Sequence, residues 1–484
     1  MINNNIIFFS LFVFFFFGCS SKDKIFESTI PFRSLNSDQT GIDFSNSLEY
    51  KTKLNIIEYL YYYNGGGVSV GDINNDGLED IYFSANLLPD RLYLNQGNLK
   101  FKDITVEAGL NIENSWSNGV NFEDVNLDGF LDIYVTKVSP ISPKKSHNLL
   151  YINNGNLTFT ERSSEFGLDF SGFSTQATFL DYDRDGDLDV YLLNHAIHTV
   201  RSYGTSDKRV ESDSLSGDKF YENKLNEIEG KFVEVTRKVN VYDSPLGYGL
   251  AITATDINDD GWLDIYVGND FHENDYIYIN NKDKTFSESI KKSIYHSTHF
   301  TMGIDVADLN SDGHQDIFTT DMMPYDPKIF LKSGGEDEDQ VSRIKKEFGF
   351  EPQLARNHFH LNRGDGSFSE IALLTKTYAT DWSWGVLLQD FDADGITGSP
   401  LTTSESAGSV DLLKDSSGYG YAKDSAGNQF SITHSNGTQW GDKTWSGWTL
   451  QGAESINGTN TSAWQHDNGS LWLLIDDNRR VVRR

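Results

Sequence analysis

The stretch DINNDGLED at residues 72–80 returns along the chain in closely similar form, and this repetition indicates how the chain folds. Its pattern is Asp at positions 1, 5 and 9, Asn or Asp at position 3, and Gly at position 6. Complete copies also begin at Asp124, Asp181, Asp256 and Asp308, and a sixth copy begins at Asp390 but ends on Gly398. An internal repeat of this kind predicts a fold assembled from repeated units of a few strands each.

Strand signals flank every complete copy. Apolar, β-rich segments precede and follow the first copy at residues 68–70 and 81–83. A second hairpin signal follows at residues 92–101, and comparable signals occur at 150–159, 276–286 and 359–368. Two hairpins per repeat make four strands, which is one blade of a β-propeller. The sequence therefore predicts an all-β fold: a propeller of six to seven four-stranded blades and a small C-terminal β domain.

A glycine precedes most of the copies by five residues. These glycines are Gly67, Gly119, Gly303 and Gly385.

The loop pattern describes a site for a hard cation. Oxygen-bearing side chains at positions 1, 3, 5 and 9, with a Gly that permits a sharp turn, suit calcium, which accepts many oxygens in flexible geometry. Magnesium keeps its waters, and zinc prefers His and Cys side chains. The carbonyl of position 7 would complete the set, and five ions are expected, one for each complete copy.

The predicted ligands are grouped by loop. They are Asp72, Asn74, Asp76, Leu78 and Asp80; Asp124, Asn126, Asp128, Phe130 and Asp132; Asp181, Asp183, Asp185, Asp187 and Asp189; Asp256, Asn258, Asp260, Trp262 and Asp264; and Asp308, Asn310, Asp312, His314 and Asp316. The incomplete sixth loop offers Asp390, Asp392 and Asp394.

Two other interpretations fit the loops less well. An EF-hand needs Glu at position 12 and flanking helices, but position 12 of the first loop is Phe83 in a predicted strand. Asp-Gly also makes ordinary hairpin turns, which would explain one loop more easily than five in register. Because clustered carboxylates repel without a cation, we expect the calcium to be structural. The repeat contains no general acid or base, so no catalytic residue is predicted.

The net charge limits the kinds of partner that the chain can bind, and the cysteine count limits its disulfides and metal clusters. Asp and Glu number 71 against 40 Lys and Arg, for a net charge of −31, which argues against nucleic acid or an anionic membrane surface as a partner. Cys19 is the only cysteine, so the chain forms no internal disulfide and no thiolate metal cluster.

The N-terminus resembles a bacterial lipoprotein signal. An apolar run at residues 6–17 is followed by Gly18 and Cys19, the residue that would be acylated. Residues 1–5 carry no Lys or Arg, and Phe16 replaces the usual aliphatic residue, so a plain secretory leader is the alternative. Either reading predicts export. A lipoprotein signal in addition predicts a protein of the outer membrane or cell surface that contacts the membrane only through its lipid.

From about residue 50 to 395 the loops and their flanks resemble the FG-GAP and VCBS repeats of the integrin α-type propeller. The stretches YYNGGG (62–67) and TDWSW (380–384) are similar to a bacterial branch of surface lipoproteins often joined to an ASPIC-type module. This resemblance implies that seven blades are usual, that the calcium loops share one face, and that partners bind at the opposite face or the edge.

The predicted organisation has five parts. They are a signal peptide with its acylated Cys at 1–19, an N-terminal segment at 20–49, the propeller at 50–396, a Ser/Thr/Gly-rich linker at 397–412, and a β domain at 413–484. The last part resembles a tryptophan-rich domain of secreted bacterial proteins, with Trp440, Trp445, Trp448, Trp464 and Trp472. These tryptophans suit either core packing or sugar binding.

The sequence thus predicts a calcium-binding cell-surface propeller that acts in adhesion or in binding an extracellular polysaccharide or protein. A calcium-dependent secreted polysaccharide-active enzyme, such as a lyase, is the alternative, and a scaffold for the C-terminal domain is a third possibility. His272, His314 and His360 show no metal-ligand or triad spacing. Arg363-Gly364-Asp365 is interpreted as turn chemistry.

Overall fold

The computed structural model describes residues 34–48, 54–138, 146–197, 204–227, 230–310, 312–333 and 337–389, and beyond these the backbone of eight strands between residues 402 and 483. In chain order the strands up to residue 389 are β1 (Val68–Gly71), β2 (Asp80–Phe83), β3 (Asn86–Leu88), β4 (Arg91–Asn95), β5 (Phe101–Asp103), β6 (Ser115–Glu123), β7 (Asp132–Lys137), β8 (Leu149–Asn153), β9 (Phe159–Glu161), β10 (Ser174–Leu180), β11 (Asp189–Asn194), β12 (Lys219–Glu222), β13 (Val233–Glu234), β14 (Gly249–Thr255), β15 (Asp264–Asn269), β16 (Tyr276–Asn280), β17 (Phe286–Glu288), β18 (Ser297–Thr298), β19 (Gly303–Ala307), β20 (Asp316–Thr320), β21 (Gln353–Leu354), β22 (His358–Asn362) and β23 (Phe368–Glu370).

The helices are short. They are α1 (Ser37–Thr40), α2 (Ser163–Phe166), α3 (Ile290–Ser293), α4 (Pro327–Ser333), α5 (Asp339–Glu347) and α6 (Ala372–Thr375), with one 3-10 helix at Ser206–Val210. Within the described ranges, no helix has the length and apolar character needed to cross a bilayer.

The strands form five consecutive antiparallel sheets, so the predicted all-β class is confirmed. The sheets are β1-β2-β4-β5, β3-β6-β7-β8-β9, β10-β11-β12-β13, β14-β15-β16-β17 and β19-β20-β22-β23. We number them first to fifth. In each sheet one complete nine-residue loop joins two neighbouring strands, such as β1 and β2, and we number the loops like their sheets. A small parallel pair, β18 with β21, stands beside them.

The apolar core lies between consecutive sheets. Tyr82 and Leu92 of the first sheet share one cluster with Ile133 of the second, and Tyr134 of the second shares another with Val190 of the third. The same holds for the third with the fourth sheet and for the fourth with the fifth. Because β7, β11 and β15 are buried on both faces, their middle residues form continuous apolar runs rather than alternating patterns.

The glycines five residues ahead of the loops allow neighbouring strands to lie close together. A Cβ on Gly67 would lie 2.8 Å from the Asn118 carbonyl oxygen, and one on Gly119 would lie 2.9 Å from that of Thr175. A Cβ on Gly303 would lie 3.0 Å from Gly385 Cα. The strands that precede the loops therefore pack side by side in chain order, with backbone against backbone where a side chain would not fit.

Beyond residue 389 the backbone forms two further four-stranded antiparallel sheets. They contain β24 (Thr402–Glu405), β25 (Val410–Lys414), β26 (Gly420–Asp424), β27 (Gln429–Ser431), β28 (Trp448–Ile456), β29 (Thr459–His466), β30 (Leu471–Ile475) and β31 (Arg480–Arg483). The strand β24 and the start of β25 lie inside the segment expected to be a linker. The leader with Cys19, the ligands of the sixth loop and the side chains of the C-terminal tryptophans lie outside the described residues.

Candidate functional site

The five complete loops share one backbone geometry. The glycine at position 6 has a positive φ, between 83° and 94°, in every complete loop. Position 4 is also left-handed where it is described, at Asn75, Leu127, Arg184 and Asp259, with φ between 58° and 60°. Two left-handed residues two positions apart curl each loop tightly, which accounts for the glycine that the repeat carries there.

The side chains at positions 1 and 3 turn inward in this geometry. In the first loop, the two Asp72 carboxylate oxygens accept the N–H groups of Asp76 and Gly77 at 3.1 and 2.6 Å, while Asn74 Oδ1 lies 3.2 Å from the same Asp76 nitrogen. The second, fourth and fifth loops repeat these three bonds. In every complete loop the N–H of position 7 bonds the carboxylate of position 5. The side-chain oxygens at positions 1, 3 and 5, which are predicted to be ligands, are therefore gathered around one turn.

The Asp at position 9 is buried in every complete loop. In the fourth loop, Asp264 accepts the N–H of Ile257 at 3.0 Å and that of Asn280 at 2.8 Å, one on each oxygen. Burial, with nearby loop carboxylates adding to it, raises the pKa of Asp264 and Asp132 to about 7 and that of Asp189 to about 8. An acid in such surroundings ionises more readily when a cation lies beside it.

The third loop has the densest group of carboxylates. Ligand-capable oxygens of Asp181, Asp183 and Asp189 lie within 4.8 Å of one another. Asp181 Oδ1 and Asp187 Oδ1 are buried without a hydrogen-bond partner among the described residues. Lys284, from the hairpin of the fourth sheet, contacts Asp183. Three carboxylates at this spacing, one of them with an orphaned oxygen, fit a hard cation with several oxygen ligands.

An asparagine at the end of one strand of each sheet supports the loops, and sequence reasoning did not assign it a role. Asn280 Nδ2 donates to the Leu263 carbonyl of its own loop at 3.2 Å and to the Tyr182 carbonyl of the preceding loop at 2.8 Å. Asn153, Asn223 and Asn362 make the same pair of bonds. The sequence does contain a signal for this role, because an Asn recurs at the end of the first strand of the predicted second hairpin.

Side chains at position 4 link neighbouring loops, through the backbone carbonyl of position 6 or the side chain of position 7. Asn75 Nδ2 donates to the Gly129 carbonyl of the second loop at 2.9 Å. The Arg184 guanidinium lies 4.8 Å from the centre of the Trp262 ring in the fourth loop. Asp259 contacts the imidazole of His314 in the fifth loop. The loops therefore lie next to one another at the same end of the sheets.

A small cavity lies at the other ends of the strands that precede the loops. Its volume is about 180 Å³, and it is lined by residues of β6, β10 and β14 and by the residues directly before β1 and β19, together with Tyr59, Tyr61 and Trp384. Gly67, Gly119 and Leu250 belong to this lining and stand five or six residues ahead of their loops. The cavity therefore lies opposite the loops, and it combines aromatic rings with the amides of Asn64 and Gln176.

The Arg363-Gly364-Asp365 tripeptide forms the turn between β22 and β23, as predicted. Asp365 Oδ1 accepts the Ser367 N–H at 3.0 Å, and Arg363 donates to Ser369 at 2.6 Å.

Comparison with known proteins identifies the repeats. The FG-GAP-like repeat model matches residues 72–135, 141–192 and 256–319, which contain all five complete loops. Mouse cartilage acidic protein 1 is 27% identical over 208 residues, which is 43% of this chain and 29% of that protein. Chicken integrin alpha-8 is 30% identical over 112 residues, 20% of this chain and 10% of that protein. The chain spans about a third, at most, of the length of these relatives.

Similar solved structures include two proteins of different function. One is an Agrocybe aegerita lectin that recognises non-reducing terminal N-acetylglucosamine, with a TM-score of 0.38, 13% identity, and coverage of 77% of this chain and 78% of the lectin. The other is the V. cholerae biofilm matrix protein Bap1, with a TM-score of 0.34, 11% identity, and coverage of 86% and 72%. TM-scores this low do not establish a common fold.

Proposed function

We propose that this chain is a calcium-binding β-propeller on the bacterial cell surface that binds an extracellular polysaccharide or protein. The observation that carries the proposal is the common geometry of the five loops, each of which gathers carboxylate oxygens at the same end of consecutive sheets. The FG-GAP-like repeats and the similarity to an integrin α chain favour an adhesion or ligand-binding propeller. The five sheets would be blades, packed in chain order around an axis that the glycine-bearing strands surround.

Each ion would be held by the side chains at positions 1, 3, 5 and 9 and by the carbonyl of position 7. Calcium would supply the positive charge that lets these carboxylates ionise side by side. The chain itself supplies the rest of the site. The Asp at position 9 is already oriented by two N–H groups, and the bridging asparagines hold each loop against the next sheet. The sixth loop, through Asp390, Asp392 and Asp394, would bind more weakly because it lacks the last carboxylate.

The cavity opposite the loops is the proposed ligand site. Trp384 is 40% exposed, so its ring is available for stacking on a sugar or an apolar side chain, and Asn64 and Gln176 offer amide hydrogen bonds. A lipid on Cys19 would keep the protein on the membrane, and the net charge of −31 would keep the body of the chain away from anionic headgroups.

A thermal melt tests the calcium proposal. We expect the full-length chain in mild detergent to melt at a clearly higher temperature in excess calcium than in excess chelator. The reason is that each site contributes about 2.7 kcal/mol when free calcium is 100 times its Kd. Magnesium should restore little of the difference, since it gives up its waters reluctantly. Identical melting with calcium and with chelator would rule out structural calcium.

A matched pair of variants assigns the effect to the loops. Asp181→Ala removes a position-1 ligand of the third loop, and we expect it to reduce both the calcium stoichiometry in calorimetry and the calcium-dependent rise in melting temperature. Asp38→Asn removes an exposed acid in α1 and should change neither. Equal behaviour of the two variants would mean that calcium binds elsewhere.

A further inference from the structure

Three side chains that sequence reasoning did not bring together meet beside the fifth sheet. His358 begins β22, Glu370 ends β23, and His296 directly precedes β18. The ligand-capable atoms of the three lie within 4.8 Å of one another. His296 Nδ1 and His358 Nε2 are 2.8 Å apart. None of these residues belongs to a nine-residue loop.

The hydrogen bonds around His358 fix which of its nitrogens offers a lone pair. Its Nδ1 lies 2.9 Å from the Arg356 carbonyl oxygen. A carbonyl only accepts, so Nδ1 carries the proton and donates it, and the lone pair of the neutral ring is on Nε2. Burial, with help from nearby His360, His296 and Arg356, holds the pKa of His358 well below its usual range. A backbone carbonyl that orients the second ring nitrogen is the usual surrounding of a metal-binding histidine.

Hydrogen bonds also fix the orientation of the Glu370 carboxylate. Its Oε1 accepts the Ala372 N–H at 2.6 Å, and its Oε2 accepts from Arg356 at 2.8 Å. Two imidazoles therefore face one carboxylate that is held by two hydrogen bonds. The ring of His360 stacks on that of His358 at 5.3 Å, and its buried Nε2 has no hydrogen-bond partner within the described residues.

We propose that His296 Nδ1, His358 Nε2 and Glu370 bind one divalent transition-metal ion, and that zinc is the ion this donor set fits. Zinc accepts imidazole nitrogen and carboxylate oxygen at about 2.0–2.2 Å, which places neighbouring ligands of a tetrahedron about 3.3 Å apart. The two imidazole nitrogens need to separate by about 0.5 Å, and the carboxylate moves inward. The ion takes the place of the proton that His296 Nδ1 shares with His358, and His296 then carries its proton on Nε2.

The site is reachable and distinct from the loops. His296 is partly exposed, and its neighbour Tyr295 is 88% exposed, so an ion can enter from solvent. Calcium would not compete, because it selects oxygen ligands. Arg356 does compete, since its guanidinium already pairs with Glu370. Three protein ligands leave one position for water or a further ligand, and the ion would tie the segment before β18 to β22 and β23.

Cobalt titration tests the site, because cobalt(II) in a zinc site absorbs visible light. The full-length chain in mild detergent is titrated with cobalt in saturating calcium. We expect one equivalent to produce visible bands that zinc then abolishes. His296→Ala and Glu370→Gln should each weaken cobalt binding more than about 100-fold, the upper range for losing even an outer partner of a metal ligand.

His147→Ala, at an exposed histidine elsewhere, is the matched control and should leave the titration unchanged. Thermal melts establish that the variants remain folded. Absence of the bands in the parent chain, or bands of equal affinity in all three variants, would overturn the proposal. Because calcium is saturating throughout, neither result depends on the proposed role of the loops.

Discussion

At the residue scale, one buried position that bonds a Tyr hydroxyl and a backbone N–H is occupied by Asp in three sheets and by Asn in another. Asp275 precedes β16 and accepts the Tyr266 hydroxyl and the Asn269 N–H, both at 2.8 Å. Asp90 and Asp218 do the same in the first and third sheets. In the second sheet the position is Asn148, which donates to the Tyr134 hydroxyl at 3.0 Å and accepts the Lys137 N–H at 2.8 Å. The backbone bond is common to both, but only the acid can become charged.

Replacing Asp275 with Asn should stabilise the protein in a pH-dependent way. Burial raises the pKa of Asp275 to about 7, above the unfolded value of about 3.9. The folded state therefore binds a proton that the unfolded chain has lost between these pH values, and the free energy of unfolding falls as the pH rises through this window. Asp275→Asn avoids this fall in the free energy of unfolding, because an amide does not titrate. We expect no gain at pH 4 and a gain of roughly 1–3 kcal/mol at pH 8, measured by urea unfolding.

The reverse change serves as the control. Asn148→Asp should cost little at pH 4 and destabilise at pH 8. If the effect of Asp275→Asn were the same at both pH values, the buried acid would not be the source of the pH dependence.

At the element scale, the strands that precede the loops are packed more closely than side chains allow. Gly67→Ala and Gly119→Ala place a Cβ within 2.9 Å of a neighbouring carbonyl oxygen, so either the strand or its neighbour must move. We expect each variant to lower the free energy of unfolding by about 1–3 kcal/mol, the usual cost of overpacking. Denaturant unfolding measures this directly.

Gly385→Ala is the matched control, because a Cβ there meets nothing within 4 Å and φ is not positive. It should cost less than about 1 kcal/mol. A cost as large as that of Gly67→Ala would show that glycine matters at this position for a reason other than contact between strands.

The sequence predicted the strands where the signal is local. Residues 68–70 and 81–83 became β1 and β2, and the hairpin at 92–101 became β4 and β5. The second hairpin of the third repeat, β12–β13, was expected from the repeat but was not located in the sequence, because an insertion precedes it and β13 has only two residues. The turn geometry of the loops could be predicted from the spacing of their Asp and Gly residues, and the role of these residues as calcium ligands stays a prediction. His296, His358 and Glu370 could not, because they come from three separate segments that only the packing of β18, β22 and β23 brings together.

At the scale of the whole molecule, each sheet after the first is bonded to the loop before it. Asn153, Asn223, Asn280 and Asn362 donate to carbonyls at position 2 of the preceding loops. Position 4 side chains add contacts between loops. Unfolding one sheet would therefore break the hydrogen bonds that hold the neighbouring loop in place. We expect the region from residue 54 to 389 to unfold as one cooperative unit.

Asn95 of the first sheet offers a test of whether the proposed propeller closes. Its Nδ2 donates to the Glu79 carbonyl of its own loop at 2.8 Å, the first of the two bonds that its counterparts make. If the sheets form a closed ring, the last blade supplies the second acceptor, a position-2 carbonyl. The segment before the sixth loop already packs against the fifth sheet, with the Leu388 N–H 2.5 Å from Asp305 Oδ2. In a ring of six blades the acceptor would be Phe391.

A closed ring predicts that Asn95→Ala costs as much as Asn280→Ala. Asn280→Ala leaves the Tyr182 and Leu263 carbonyls without their amide donor, and we expect it to lower the free energy of unfolding by about 2–3 kcal/mol in urea. Asn153→Ala loses the same pair of amide bonds, and it measures their contribution to the free energy of unfolding where the second sheet meets the loop of the first. In each of these asparagines Oδ1 also accepts the N–H two residues further on, so that bond is lost equally in all three variants. An open arc would leave Asn95 with one amide donation to lose instead of two, and its replacement would then cost less than that of Asn280. Equal costs for the three variants would mean that the first sheet has a neighbour on both sides, which is the property that distinguishes a propeller from a row of stacked sheets.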